Sequence, residues 1–144
     1  MSRSPAHEIA ILIDDADIGS FPADAGWAIN VAAEPSSPDT TITIYDTPGG
    51  APVIVPETQE DDSEQLRDVD FQVRVRSGSY QDAYLKQQEI FNALTIPKEQ
   101  ATADHRIVGI WLVGDIASIG RDDNNRHRLV ANYRMERQPL EDLS

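Results

Sequence analysis

Three stretches of this 144-residue chain predict an α+β fold, a single mostly antiparallel or mixed sheet with one long helix packed across a face and an N-terminal helix beside it. Phe71 to Arg76 alternates apolar and polar side chains, as a half-buried strand does. Tyr80 to Leu94 repeats apolar residues at three, four and seven, as an amphipathic helix does. Arg126 to Arg137 alternates again, with Val130 breaking the pattern.

Taken in order, Ser4-Pro5 is a cap followed by proline at the first helical position, and Ile9, Leu12, Ile13 and Ala16 supply a helix-spaced face that ends near Ile18-Gly19. Trp27, Ile29 and Val31 alternate as a short strand before Pro35. Thr40 to Tyr45 is β-branched enough for a second strand, and Pro48, Gly49 and Gly50 turn the chain into Val53 to Val55. Residues 57–65, ETQEDDSEQ, hold no apolar side chain and predict a flexible acidic loop.

Ser77-Gly78 breaks the Phe71 to Arg76 strand. Ser79 then caps a helix whose Asp82 stands three residues on, in capping-box position, and Ile96-Pro97 ends it. After a polar connection at 98–105, Arg106 to Val113 predicts a buried strand carrying Trp111. Asp122 to Asn125 turns into the final strand. Sequential strands favour antiparallel pairing, and the helix between 76 and 106 permits one parallel pair across it. Core packing is expected for Trp27, Trp111, Tyr80, Tyr84, Phe91 and Tyr133, whereas Phe21 and Tyr45, beside turns, are candidate exposed anchors. The length predicts one domain over 1–144, with its globular part at about 5–137 and a tail at 138–144.

The composition removes several function classes. With no cysteine there is no disulfide, thiolate nucleophile or cysteine metal site. The longest run without a polar side chain, Ile107 to Val113, is seven residues, against about 20 needed to span a bilayer, so no membrane partner is expected. The N-terminus MSRSPAHE lacks a secretory pattern and predicts a product that stays in the host cytoplasm.

Net charge is −13 and unevenly placed. Residues 1–66 hold 13 acidic groups against one basic, Arg3, and residues 67–144 hold 12 against 11. That balance argues against tight nucleic-acid binding, which draws on Lys and Arg neutralising phosphates. Ten of the 12 basic residues are arginines, and several lie on predicted strands, where a planar guanidinium suits carboxylate pairing across an interface.

No enzyme reading finds its residues. Asp14, Asp15 and Asp17 form a carboxylate cluster, but Asp15 leaves the helix face that Asp14 and Asp17 share, and no histidine or lysine completes a metal site. His7, His105 and His127 have no ligand spacing. Gly49-Gly50 lacks the Lys-Ser/Thr of a phosphate loop, and no serine sits in a nucleophile elbow. No cofactor is expected.

The strand with outward arginines, followed by a helix opening on Ser77-Gly78-Ser79-Tyr80, resembles a segment of the tail terminator family of long-tailed bacteriophages, some of whose relatives are minor capsid proteins. The upstream IYDTPGGAPVIVPE, Ile44 to Glu57, is similar to a Tyr-Asp-x-Pro-Gly-like turn of the same proteins, and the order of elements fits from about residue 5 to 137.

The resemblance implies a sixfold ring on the last ring of the tail tube. Its expected partners are further copies of this chain, the major tail tube protein and a head–tail connector or stopper, with DNA only passing through. Such a ring needs heterologous contacts that close by rotation. Arg74, Arg76, Arg128 and Arg134, facing the acidic first half of a neighbour, are the candidate ring contacts. Tyr45, Asp46, Pro48, Gly49, Gly50, Glu60, Asp61 and Asp62, on two loops, are the candidate docking residues. A head-completion or stopper protein, an unrelated binding module and a metal-dependent nuclease at Asp14 and Asp17 are the other readings the sequence leaves open.

Overall fold

The computed structural model of the protein describes residues 4–19, 27–36, 38–47, 52–53, 66–95, 100–101 and 105–139. Its elements are α1 (Pro5–Asp15), β1 (Ala28–Val31), β2 (Thr41–Thr47), β3 (Pro52–Val53), β4 (Leu66–Ser77), α2 (Tyr80–Leu94), β5 (Gln100–Ala101), β6 (His105–Leu112), β7 (Ala117–Arg121) and β8 (His127–Pro139). They form one mixed sheet with two helices, an α+β arrangement. Six strands lie in the order β1-β2-β4-β8-β6-β5, with β3 beside β4 and β7 beside β8.

The centre of the sheet is the antiparallel pair β4–β8, in register from Arg67 opposite Arg137 to Ser77 opposite His127. Alternation puts Phe71, Val73 and Val75 on the same inner face as Leu129, Ala131, Tyr133 and Met135, all fully or almost fully buried. Phe71 and Tyr133 are direct cross-strand partners, and their rings stack with centroids 5.2 Å apart. Burial pushes the Tyr133 phenol well above its ordinary pKa, and its hydroxyl has no partner among the described residues.

Both helices cover this inner face. Ser4 accepts from the His7 backbone N–H at the start of α1, and Ser79 accepts from that of Asp82 at the start of α2, as the cap residues predict. Helix α1 buries Ala6, Ile9, Ala10 and Ile13, and α2 buries Ala83, Ile90 and Leu94. Gln87 of α2 points into the sheet and donates to the carbonyls of Val73 (2.9 Å) and Leu129 (3.0 Å), pinning the helix over the β4–β8 seam. Glu8 of α1 is fully buried and pairs with Arg137 of β8, which ties the N-terminal helix to the far end of the central strand.

The structure corrects the sequence in five places, one of them Trp111, which is expected in the core and is 43% exposed because its side of β6 is the outer face. The parallel pair is β1–β2, not a pair across α2; β4 and β6 do run in the same direction, but β8 lies between them. Strand β7, absent from the prediction, continues the edge begun by β6. Strand β8 runs to Pro139, so Gln138 and Pro139 belong to the sheet and not to a tail. Tyr80 is 48% exposed, because it stands at the first residue of α2, where its ring meets His127 edge-on instead of the core.

The β1–β2 connection, residues 32–40, joins parallel neighbours without a helix and is held against the sheet by one side chain. Arg76 is 2% exposed, and its guanidinium donates to the carbonyls of Pro35 (2.5 Å), Pro38 (2.6 Å) and Asp39 (3.4 Å), with Glu34 at 3.6 Å. Replacing Arg76 by Met leaves three carbonyls without their donor and removes one of the two cations beside Glu34. Urea unfolding of that variant is expected to show a loss of about 3–5 kcal/mol, the usual consequence of breaking a buried ion pair. At the other end of β1, a Cβ on Gly19 would lie 2.7 Å from the Ile29 side chain and 2.8 Å from the Trp27 carbonyl. Gly19→Ala is therefore expected to cost about 1–3 kcal/mol in the same measurement.

Candidate functional site

The outer face of the sheet, opposite the helices, carries the polar side chains of β4 and β8 in cross-strand rows: Arg76 with Arg128, Arg74 with Val130, Gln72 with Asn132, Asp70 with Arg134, and Asp68 with Glu136. The four arginines expected to contact a neighbour all lie on this face, but most already have partners in their own chain.

Arg76 is buried under the β1–β2 connection, which removes it from any surface. Arg128 lies 3.8 Å from Glu34, the same carboxylate that Arg76 meets. Arg134 grips Asp70 with two hydrogen bonds of 2.8 and 3.1 Å, and that hydrogen-bonded carboxylate raises its pKa. Arg76 and Arg128 thus do meet the acidic first half of a chain, but of their own. Among the described residues, Arg74 alone of the four has no carboxylate: it donates to Gln72 (3.1 Å) and lies 5.0 Å over the Tyr45 ring.

A ring of charge secures the top of the face. Arg126 donates to Asp122 (2.8 Å), to the Ser36 carbonyl (2.7 Å) and to Asp39 (3.2 Å). Desolvation pushes the Asp122 carboxyl up, but the backbone and side-chain hydrogen bonds from Arg126 and the Asn124 backbone N–H together hold it below the usual range. Desolvation and the neighbouring Arg126 lower the Arg76 pKa, against the opposing pull of Glu34, Asp122 and Asp39.

Of the expected docking residues, Tyr45 is half-buried beneath Arg74 and Asp46 is exposed. The Asp46 carboxylate accepts from the Ala6 backbone N–H at 2.8 Å and so helps cap α1. Pro48, Gly49, Gly50, Glu60, Asp61 and Asp62 lie outside the described residues, as do Phe21 and the predicted acidic loop.

Two surfaces were missed by sequence reasoning. Trp111 (43%) on β6, Val113 (45%) just after it and Ile119 (41%) on β7 are exposed. Trp111 is opposite Arg134 on the outer face, whereas Ile110 and Leu112 face inward opposite Met135 and Tyr133. Apolar residues at every position of this run hid which parity faced solvent. At the opposite margin, Trp27, Thr40, Asp82, Leu85, Lys86 and Glu89 line an open cleft between α2 and the start of β1. Lys86 lies over the Trp27 ring and pairs with Glu89 at 2.6 Å.

Among the described residues, no three His, Asp or Glu side chains converge where a metal ion could bind, and no helix is long and apolar enough to cross a membrane. What the fold offers is surface: a charged sheet face closed largely by its own chain, with an apolar edge at one margin and an acidic cleft at the other. The chain belongs to the bacteriophage tail terminator protein family, whose model matches residues 12–139, and is accordingly a structural protein of the phage tail. Its fold is similar to that of a chain from the virion of a native gene transfer agent (GTA) particle, with a TM-score of 0.59, 16% identity, and coverage of 95% of this chain and 99% of the other. No curated protein matches.

One row of the outer face makes a pH dependence. Asp68 and Glu136 are direct cross-strand partners, and burial, then the Asp68 charge and its hydrogen bond, hold Glu136 above the usual carboxylate range. The folded chain therefore binds this proton more tightly than the unfolded chain. The stabilisation is complete below the ordinary carboxylate pKa and is lost as pH rises through the raised one. Glu136→Gln keeps a donor permanently opposite Asp68. Thermal melts across pH are expected to show the variant gaining on the wild type as pH rises through that window; a constant difference would contradict the assignment.

Proposed function

We propose that this chain ends tail growth: copies close into a ring, sixfold as in the sequence reading, on the last ring of a polymerised tail tube and present the opposite face to a head–tail connector. The observation that carries this reading is the family match over nearly the whole described chain. The virion origin of a structure with the same fold is in keeping with it.

The physics of the chain supports the same role. A terminator must bind the tube end and deny the tube protein a further repeating site, which calls for ring contacts between unlike surfaces of adjacent copies. The two margins of the sheet are unlike in this way. Arg74, the arginine without a carboxylate, is the one left on the outer face for a neighbour or tube protein. Tyr45 and Asp46, which the fold places at the end of β2 and not on a loop, with the residues that follow to Gly50, and residues 57–65 are the proposed axial docking segments. A net charge of −13 repels a DNA duplex and lets it slide through a channel without being held.

Tubes assembled from the partner tube protein, with and without this chain, are expected to differ by negative-stain microscopy. With it they should have uniform length and one capped end; without it their lengths should scatter. Unchanged, scattered tubes with no added density would reject termination and point to a stopper on the head side.

A further inference from the structure

The exposed apolar residues of the sheet and the acidic residues of α2 lie at opposite margins, and each set is incomplete. Trp111 at the end of β6, Val113 just after it and Ile119 on β7 form a stripe along the side of β8 that lies away from β4, with the two-residue β5 beyond β6. A tryptophan with 43% of its surface in water, flanked by two aliphatic residues, is the composition of an interface centre rather than of a solvated edge. Two residues beyond Ile119, Arg121 at the end of β7 is exposed and bonds to the Asn125 side-chain oxygen (2.9 Å), with no carboxylate partner among the described residues.

The cleft at the other margin has the reverse character. Leu85 is 54% exposed on α2, Trp27 is half-buried beside it, and Asp82 and Glu89 flank them. Asp82 has no basic partner among the described residues, and Glu89 has only Lys86, which also donates to the Ile18 carbonyl.

Resting on the ring reading above, we propose that the β6–β7 edge of one copy docks into the α2–β1 cleft of the next. Trp111, Val113 and Ile119 cover Leu85 and Trp27, and Arg121 meets Asp82 and Glu89. The occupant is a second copy of this chain because both halves of the match are on it: an apolar edge with an unpaired cation, and an apolar cleft with an unpaired anion. The order β1-β2-β4-β8 with β6 and β7 beyond puts the two surfaces on opposite sides of the sheet. The contact is therefore heterologous and repeats head to tail, the type that closes a ring. A two-fold contact through either margin would bring two arginine-bearing edges, or two acidic clefts, together and is disfavoured by like charge.

The test is a charge exchange in the full-length chain, scored by sedimentation for rings and by microscopy for capped tube ends. Arg121→Glu and Asp82→Arg are each expected to lower assembly about tenfold or more, and the double variant to recover it to within about threefold of wild type. Trp111→Ala, which leaves all charges in place, is expected to lower assembly as well. Both charged sites are exposed, and thermal melts of each variant should stay close to wild type, which separates lost contact from lost fold. Rings and caps that form normally in both single variants, or a double variant no better than either, would overturn this contact and leave the ring reading standing. A wild-type chain that forms neither rings nor capped tubes would overturn the ring reading and this contact with it.

Discussion

The register of β4 against β8 is the constraint on which the other elements depend. Eleven residue pairs, from Arg67–Arg137 to Ser77–His127, fix two faces at once. A slip of one residue would turn Phe71, Val73, Val75 and their partners to the outer face and bring the arginines of both strands beneath the helices. The stacked Phe71–Tyr133 pair and the Gln87 hydrogen bonds across the seam exist only in this register. So does the alignment of Arg76 with Arg128, which lets one carboxylate, Glu34, serve both.

From that register follows an electrostatic division of the chain. The first half is strongly acidic and the second balanced, and the fold uses part of this imbalance internally. Glu34 and Asp39 of the β1–β2 connection meet Arg76, Arg126 and Arg128, while Glu8 of α1 meets Arg137 under the helices. Buried or half-buried arginines of this kind do not add much net stability over a well-packed apolar core. They hold the N-terminal segments in one position: α1 over the inner face, the β1–β2 connection over the outer one. Where arginines are already matched within the chain, they are not available to neighbours, so the proposed contacts between copies use residues left over at the margins.

Those margins are where, in the proposed ring, one copy would meet the next. A sheet whose outer strands differ in chemistry does not pair edge with like edge on equal terms, which in that proposal favours a heterologous contact over a two-fold one. The exposed tryptophan on β6 fits this logic better than burial would, since the inner face at that point is already filled by Ile110 and Leu112 opposite Met135 and Tyr133.

Local rules written in consecutive residues determined the elements. Ser4-Pro5 and Ser79 with Asp82 placed the helix starts, and the two-residue alternation at Phe71 to Arg76 and along the last strand gave the central pair its faces. The family resemblance, carried by the Arg-bearing strand and the helix after it, was also legible. Decided only by the tertiary structure were the contacts between distant segments, because sequence spacing says which residues share a face but not what covers it. The alternation put Arg76 and Arg128 correctly on the outer face. Only the folded chain shows that its own residues 34–39 close over them. In β6 both faces are apolar, so periodicity had no contrast from which to read that Trp111 points outward. The cleft of Trp27, Asp82, Leu85 and Glu89 joins residues more than fifty positions apart; no local rule reaches that far, and chain folding alone brings them together.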